Sequence, residues 1–169
     1  VDYALFAAIT DENLGTGDIA ALADAGATAF KTFMATSFGP LLMADKGELY
    51  RAFEEVAEAD RPLYIHAEDE EYLDLFGDRA RAEHGEDMEA FFAARPEVAE
   101  TTAVADVLDI VRDTGTETVI VHTTTADAVD RTQAAQAAGE PVWTEVTPYH
   151  LAFDQAAIER VGTHGIGTP

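Results

Sequence analysis

Apolar residues gather along this chain into short runs bounded by turn residues. Between the runs lie longer stretches whose apolar positions fall at helical spacing. Residues 3–9 predict a buried strand. Thr16-Gly17-Asp18 opens a helix that runs to Ala25 and stops at Gly26. Residues 28–34 are a second strand, followed by a loop of small residues over 35–40. Within 48–59, Leu49, Ala52, Phe53 and Val56 mark one helix face. Residues 62–66 are the third strand, and the highly charged 70–95 reads as two short helices covering a strand end. A helix over 97–113 ends near Gly115. The fourth strand is 118–122, the next helix is 125–138 with Gly139 as its stop, and the fifth strand is 142–146, stopped by Pro148.

This alternation is the βαβ rhythm, and it implies an α/β protein with a parallel sheet. Two architectures fit. One is an open doubly wound sheet, which the length of 169 residues favours. The other is part of a (β/α)8 barrel, which in complete form usually needs at least about 200 residues. The glycine signatures of nucleotide-binding sheets are missing, since no Gly-x-Gly-x-x-Gly and no Gly-Lys-Ser/Thr follows a strand. No composition break or low-complexity segment divides the chain, so 1–169 is expected to be one domain.

Charge narrows the partners. The chain carries 33 acids against 10 bases, a formal net charge of −23, spread along its length. Such a field repels phosphate, so nucleic acid and anionic membrane are not expected partners. An acidic surface with only two lysines is the composition of proteins from a salt-saturated cytoplasm. Hydrophobic residues make up 47% of the chain, enough for a real core. There are no cysteines, which excludes disulfides, thiolate metal sites and a cysteine nucleophile. No signal-like segment opens the sequence, so a cytoplasmic location is the expectation.

Three residues carry the candidate chemistry. Lys31 sits inside the apolar run Ala27-Thr-Ala-Phe-Lys-Thr-Phe-Met34, where an ammonium must be paired, neutralised or modified. His66 and His122 each end an apolar run. Each alone reads more simply as structural: a strand-end lysine reaching solvent, or a satisfied core histidine. Together they place three ligand-type side chains at or near the ends of parallel strands, where α/β proteins build their sites. Imidazole is a common zinc ligand, and a neutral buried lysine amine can take up carbon dioxide to give a carbamate. Glu68 and Asp69 read as supporting or loop acids, Glu145 as an orienting or buried acid, and His150 as structural. His84 and His164 read as exposed, Met34 and Met43 as packing, and Trp143 as a strand residue with no required substrate contact.

Ala29-Phe-Lys-Thr-Phe-Met34, Tyr64-Ile-His-Ala-Glu-Asp69, Arg95-Pro-Glu97, Val119-Ile-Val-His122 and Thr144-Glu-Val-Thr-Pro-Tyr-His-Leu151 resemble, in order, the motifs of the cyclic amidohydrolases. That family comprises dihydroorotase, dihydropyrimidinase (hydantoinase) and allantoinase. The resemblance implies strands 3–7 of a (β/α)8 barrel and a chain truncated at both ends. It also implies two divalent metals, usually zinc, bridged by a carboxylated lysine at Lys31 and held by His66 and His122. The family's His-x-His pair is absent from these 169 residues, as is its late catalytic aspartate. No catalytic acid–base residue is therefore identified, and the chain alone is expected to be inactive.

Thr147-Pro-Tyr-His-Leu151 is similar to a dihydroorotase motif, whereas Glu48-Leu-Tyr-Arg-Ala-Phe53 looks more like a hydantoinase. Gly165-Ile-Gly-Thr-Pro169 stands where many dihydroorotases have Asn-Pro-Pro. The resulting expectation is dihydroorotase, with its role in pyrimidine biosynthesis and a small cyclic amide as substrate. Dihydropyrimidinase/hydantoinase or allantoinase is the alternative, and self-association into a homo-oligomer is compatible with either. A reading of another class is a non-catalytic α/β binding module, which need hold no metal.

Overall fold

The computed structural model describes residues 2–36, 41–154, 156 and 160. His164 and the motif at 165–169 lie outside the described residues. Five strands, β1 (Phe6–Ala8), β2 (Ala29–Phe33), β3 (Leu63–His66), β4 (Thr118–Ile120) and β5 (Val142–Thr144), form one sheet. Every pairing is parallel, and spatial order follows chain order from β1 to β5. A doubly wound sheet reverses strand order at a switch point. This sheet has no reversal, which removes the open-sheet alternative and leaves the run of adjacent βα units that a barrel contains.

The helices are α1 (Asp18–Asp24), α2 (Lys46–Glu58), α3 (Glu70–His84), α4 (Met88–Ala93), α5 (Glu97–Thr114), α6 (Ala126–Ala137) and α7 (Pro148–Ala152). Side-chain alternation splits the sheet into two unlike faces. Ile9, Phe30, Leu63, Ile65, Ile120 and Val142 point one way and are fully buried, packed with Leu49, Phe53, Val56, Val104 and Val107 from the helices. The register sets Ala8, Lys31, Tyr64, Val119 and Trp143 side by side on the opposite face. There Phe6 is 51% and Trp143 46% exposed. Among the described residues, α1, α2, α5 and α6 pack against the first of these faces, as on the outside of a barrel.

Several boundaries differ from the periodicity reading. The two helices over 70–95 are unequal, because Asp69 caps a 15-residue α3 by accepting from the Tyr72 amide. The fourth strand stops at Ile120, which leaves His122 in a turn rather than on the strand. Pro148 ends the extended segment by starting a helix, α7, at the one position where its missing N–H costs nothing.

Candidate metal centre

His66 is the last residue of β3 and is buried. Its amide-flanking carbonyl remains in the ladder, accepting from Met34 N at 2.9 Å, so the ring is carried by a fixed strand end. His122 lies two residues past β4, with φ 41 in the left-handed region. That turn swings its ring back over β3. His66 Nδ1 and His122 Nε2 then stand 3.0 Å apart, with ring centroids at 4.7 Å.

The tautomers follow from the partners. Glu68 Oε2 lies 2.9 Å from His66 Nε2 and accepts its proton. His66 Nδ1 is thereby directed at His122 Nε2, and one proton is shared between the two nitrogens. A carboxylate behind a ring nitrogen is the arrangement that orients metal-binding histidines. Burial pushes Glu68 up, but the His66 hydrogen bond and the charges of His66, Arg95 and His122 outweigh it, leaving the carboxyl below its ordinary value. His122 is pushed down to about 4 by burial and by the charges of His66 and Lys31, so it is neutral at pH 7 and free to bind a metal.

Lys31 occupies the middle of β2, in register with Tyr64 and so two positions short of the strand end. Its Nζ donates to the Thr32 carbonyl at 3.3 Å and sits 4.1 Å from the Phe33 ring centroid. Phe33 in turn lies 5.7 Å, centroid to centroid, from His66. Below it, small Ala29 lets Phe6 reach across to Tyr64, their rings 4.5 Å apart, which makes an aromatic floor. Burial lowers Lys31 to about 8, against the pull of Glu145 in the other direction. Near pH 8 a large share of this amine is neutral and nucleophilic. The structure thus brings His66 and His122 into contact and sets Lys31 on the same sheet face. Glu145 belongs to this group by its charge, although its side chain is exposed rather than buried.

His84 lies elsewhere, as the last residue of α3. It is half-buried, with Nδ1 3.2 Å from Glu89, and with Asp87 it forms another group able to hold a cation. The expectation of a freely exposed His84 is corrected by these partners. Sequence reasoning also passed over Glu100. Its carboxyl bonds the loop after His122, a contact between residues too far apart in the chain for any local pattern to show.

Consecutive parallel βα units in chain order, with two imidazoles and a lysine of lowered pKa on one side of the sheet, define a segment of a (β/α)8 barrel. No family model matches the chain. It is 31% identical over 165 residues to the L-hydantoinase of Paenarthrobacter aurescens, covering 97% of this chain and 36% of that protein. It is 31% identical over 163 residues to the allantoinase of Rubrobacter xylanophilus, covering 96% and 36%. The solved L-hydantoinase (dihydropyrimidinase) from Arthrobacter aurescens superposes with a TM-score of 0.92 at 30% identity, over 100% of this chain and 37% of that one. Sequence and fold together place this chain in the cyclic amidohydrolase family. It spans about a third of the length of the curated relatives it matches. Dihydroorotase from Campylobacter jejuni, at TM-score 0.59 and 14% identity, shares the fold alone. These findings favour the hydantoinase and allantoinase alternative over the dihydroorotase expectation.

Proposed function

We propose that this chain is the central, metal-holding part of a barrel hydrolase that opens a cyclic amide of the hydantoin or allantoin type. The observation that carries the proposal is the 3.0 Å approach of His66 Nδ1 to His122 Nε2 from neighbouring strands. The donor set fits a divalent metal, with zinc as the first candidate. His122 is a neutral donor, a carboxylate backs His66, and a lysine of lowered pKa lies on the same face. When bound, such an ion lowers the pKa of water and polarises a carbonyl oxygen.

Lys31, His66 and His122 would hold the metal. Glu68 keeps the Nε2 proton of His66, so that Nδ1 remains the donor atom. Phe6 and Tyr64 pack together on the sheet face beside Lys31. No residue of this chain is assigned the acid–base role, so the 169 residues alone are expected to turn over no substrate. The hydantoin or allantoin assignment rests on the sequence relatives. The test is hydrolysis of hydantoin, allantoin, dihydrouracil and dihydroorotate by the zinc-loaded protein that contains this chain. Preference for hydantoin or allantoin is the expected result. A preference for dihydroorotate, or indifference to metal, would overturn the proposal.

A further inference from the structure

The two histidine loops are tied to the same turn of one helix. Ala99 and Glu100 are neighbours in the first turn of α5. The Ala99 carbonyl accepts from the Asp69 amide at 3.0 Å, which fixes the loop after His66. Glu100 takes the loop after His122. Glu100 is 8% exposed. It accepts from the Thr124 amide at 2.9 and 3.2 Å, the Thr125 amide at 3.1 Å, the Thr125 hydroxyl at 3.2 Å and the Thr124 hydroxyl. A carboxyl buried here without those donors would be strongly destabilising.

Geometry connects this clamp to the site. His122 holds a left-handed backbone that a residue with a Cβ keeps only where its surroundings over-determine it. On the upstream side the constraint is strand β4, through Val121 N donating to Ile65 O at 3.0 Å. On the downstream side it is Thr123 N donating to Glu145 O at 2.9 Å, followed by the Glu100 bonds to residues 124 and 125.

We infer that Glu100 is the positioning residue for His122. Through Thr124 and Thr125 it holds the turn that brings His122 Nε2 onto His66 Nδ1, while Ala99 fixes the opposite loop from the same helical turn. The consequence for metal affinity rests on the metal-site reading above, whereas the consequence for ring geometry does not.

The experiment uses the 15N-labelled, metal-free chain. Long-range 1H–15N spectra report the tautomer of each histidine and whether a proton is shared between His66 Nδ1 and His122 Nε2. The pairing is expected in wild type and in Val104→Ala, which opens a cavity one turn along α5 at a fully buried position and leaves the loop bonds alone. It is expected to vanish in Glu100→Ala and to survive in part in Glu100→Gln, whose amide oxygen still accepts from the Thr125 side. Zinc affinity by chelator competition should fall at least ~10-fold in Glu100→Ala and stay within about twofold in Val104→Ala.

A wild-type histidine spectrum in Glu100→Ala overturns the inference, as does equal loss of pairing in Val104→Ala. Should the alanine variant not fold, a glutamine variant indistinguishable from wild type in both readouts overturns it instead. Wild-type pairing without zinc uptake would remove the metal reading, yet loss of that pairing in Glu100→Ala would still support the positioning role.

Discussion

Lys31 is the residue whose chemistry departs furthest from its ordinary state, and the departure has a sign. Its folded pKa of about 8 lies below the free value of 10.5. Between those values the unfolded chain binds the extra proton, so stability rises with pH across the window. Below about pH 8 the full penalty of the buried ammonium is present, on the order of 2 kcal/mol after screening. Lys31→Met should remove it. Urea midpoints at about pH 7 should be higher in the variant, and the gap should close by about pH 10.5. A variant no more stable than wild type at neutral pH would show that the amine bears no such cost. His122, at about 4 against a free value of 6.5, has the same sign at lower pH. Stability should fall as pH drops from 6.5 toward 4, and His122→Gln should lose less over that range in the same titration. Glu68, held low by His66, adds to the acid loss in both proteins.

The elements were legible where local pattern decides them and not where tertiary contacts do. The spacing of Leu49, Ala52, Phe53 and Val56 gave α2, and those four are its buried residues. Gly115, at φ 70, ends α5 where the sequence placed a stop. Asp45 caps α2 by accepting from the Gly47 and Glu48 amides at 2.8 and 3.0 Å. Asp45→Ala should therefore cost about 1 kcal/mol in a denaturant titration, and an unchanged midpoint would mean that water replaces the cap. His122 shows where pattern stops. The apolar run Thr118-Val-Ile-Val predicts a strand to the histidine, but Val121 and His122 are turn residues, because the loop bonds from Glu145 and Glu100 bend the chain away. Likewise, Lys31 is expected at or near a strand end, and the register with Tyr64 places it two positions short of that end.

At the scale of the whole molecule, strand order decided what length could not. The chain has the length of an open sheet, yet its strands follow sequence order, and among the described residues α1, α2, α5 and α6 pack against one face. The motifs identified the family, while the choice among cyclic amides followed two short segments that pointed in different directions. Similarity over nearly the full chain outweighs either segment. No helix among the described residues is long and apolar enough to cross a membrane. The charge of −23 is a further property of the whole molecule. Its self-repulsion is screened by salt, so raising KCl from about 0.1 M to about 2 M should lift the melting temperature by more than about 5 °C. A flat or falling melting temperature would mean that the acidic surface is already neutralised by local pairing.

The central claim is that the His66–His122 approach is a metal site. Anomalous diffraction at the zinc edge, from crystals grown with zinc, tests it most directly. The expected result is a peak shared by His66 Nδ1 and His122 Nε2 on the Lys31 side of the sheet. The contradicting result is a map with no peak there, whether or not zinc occupies the His84, Asp87 and Glu89 turn.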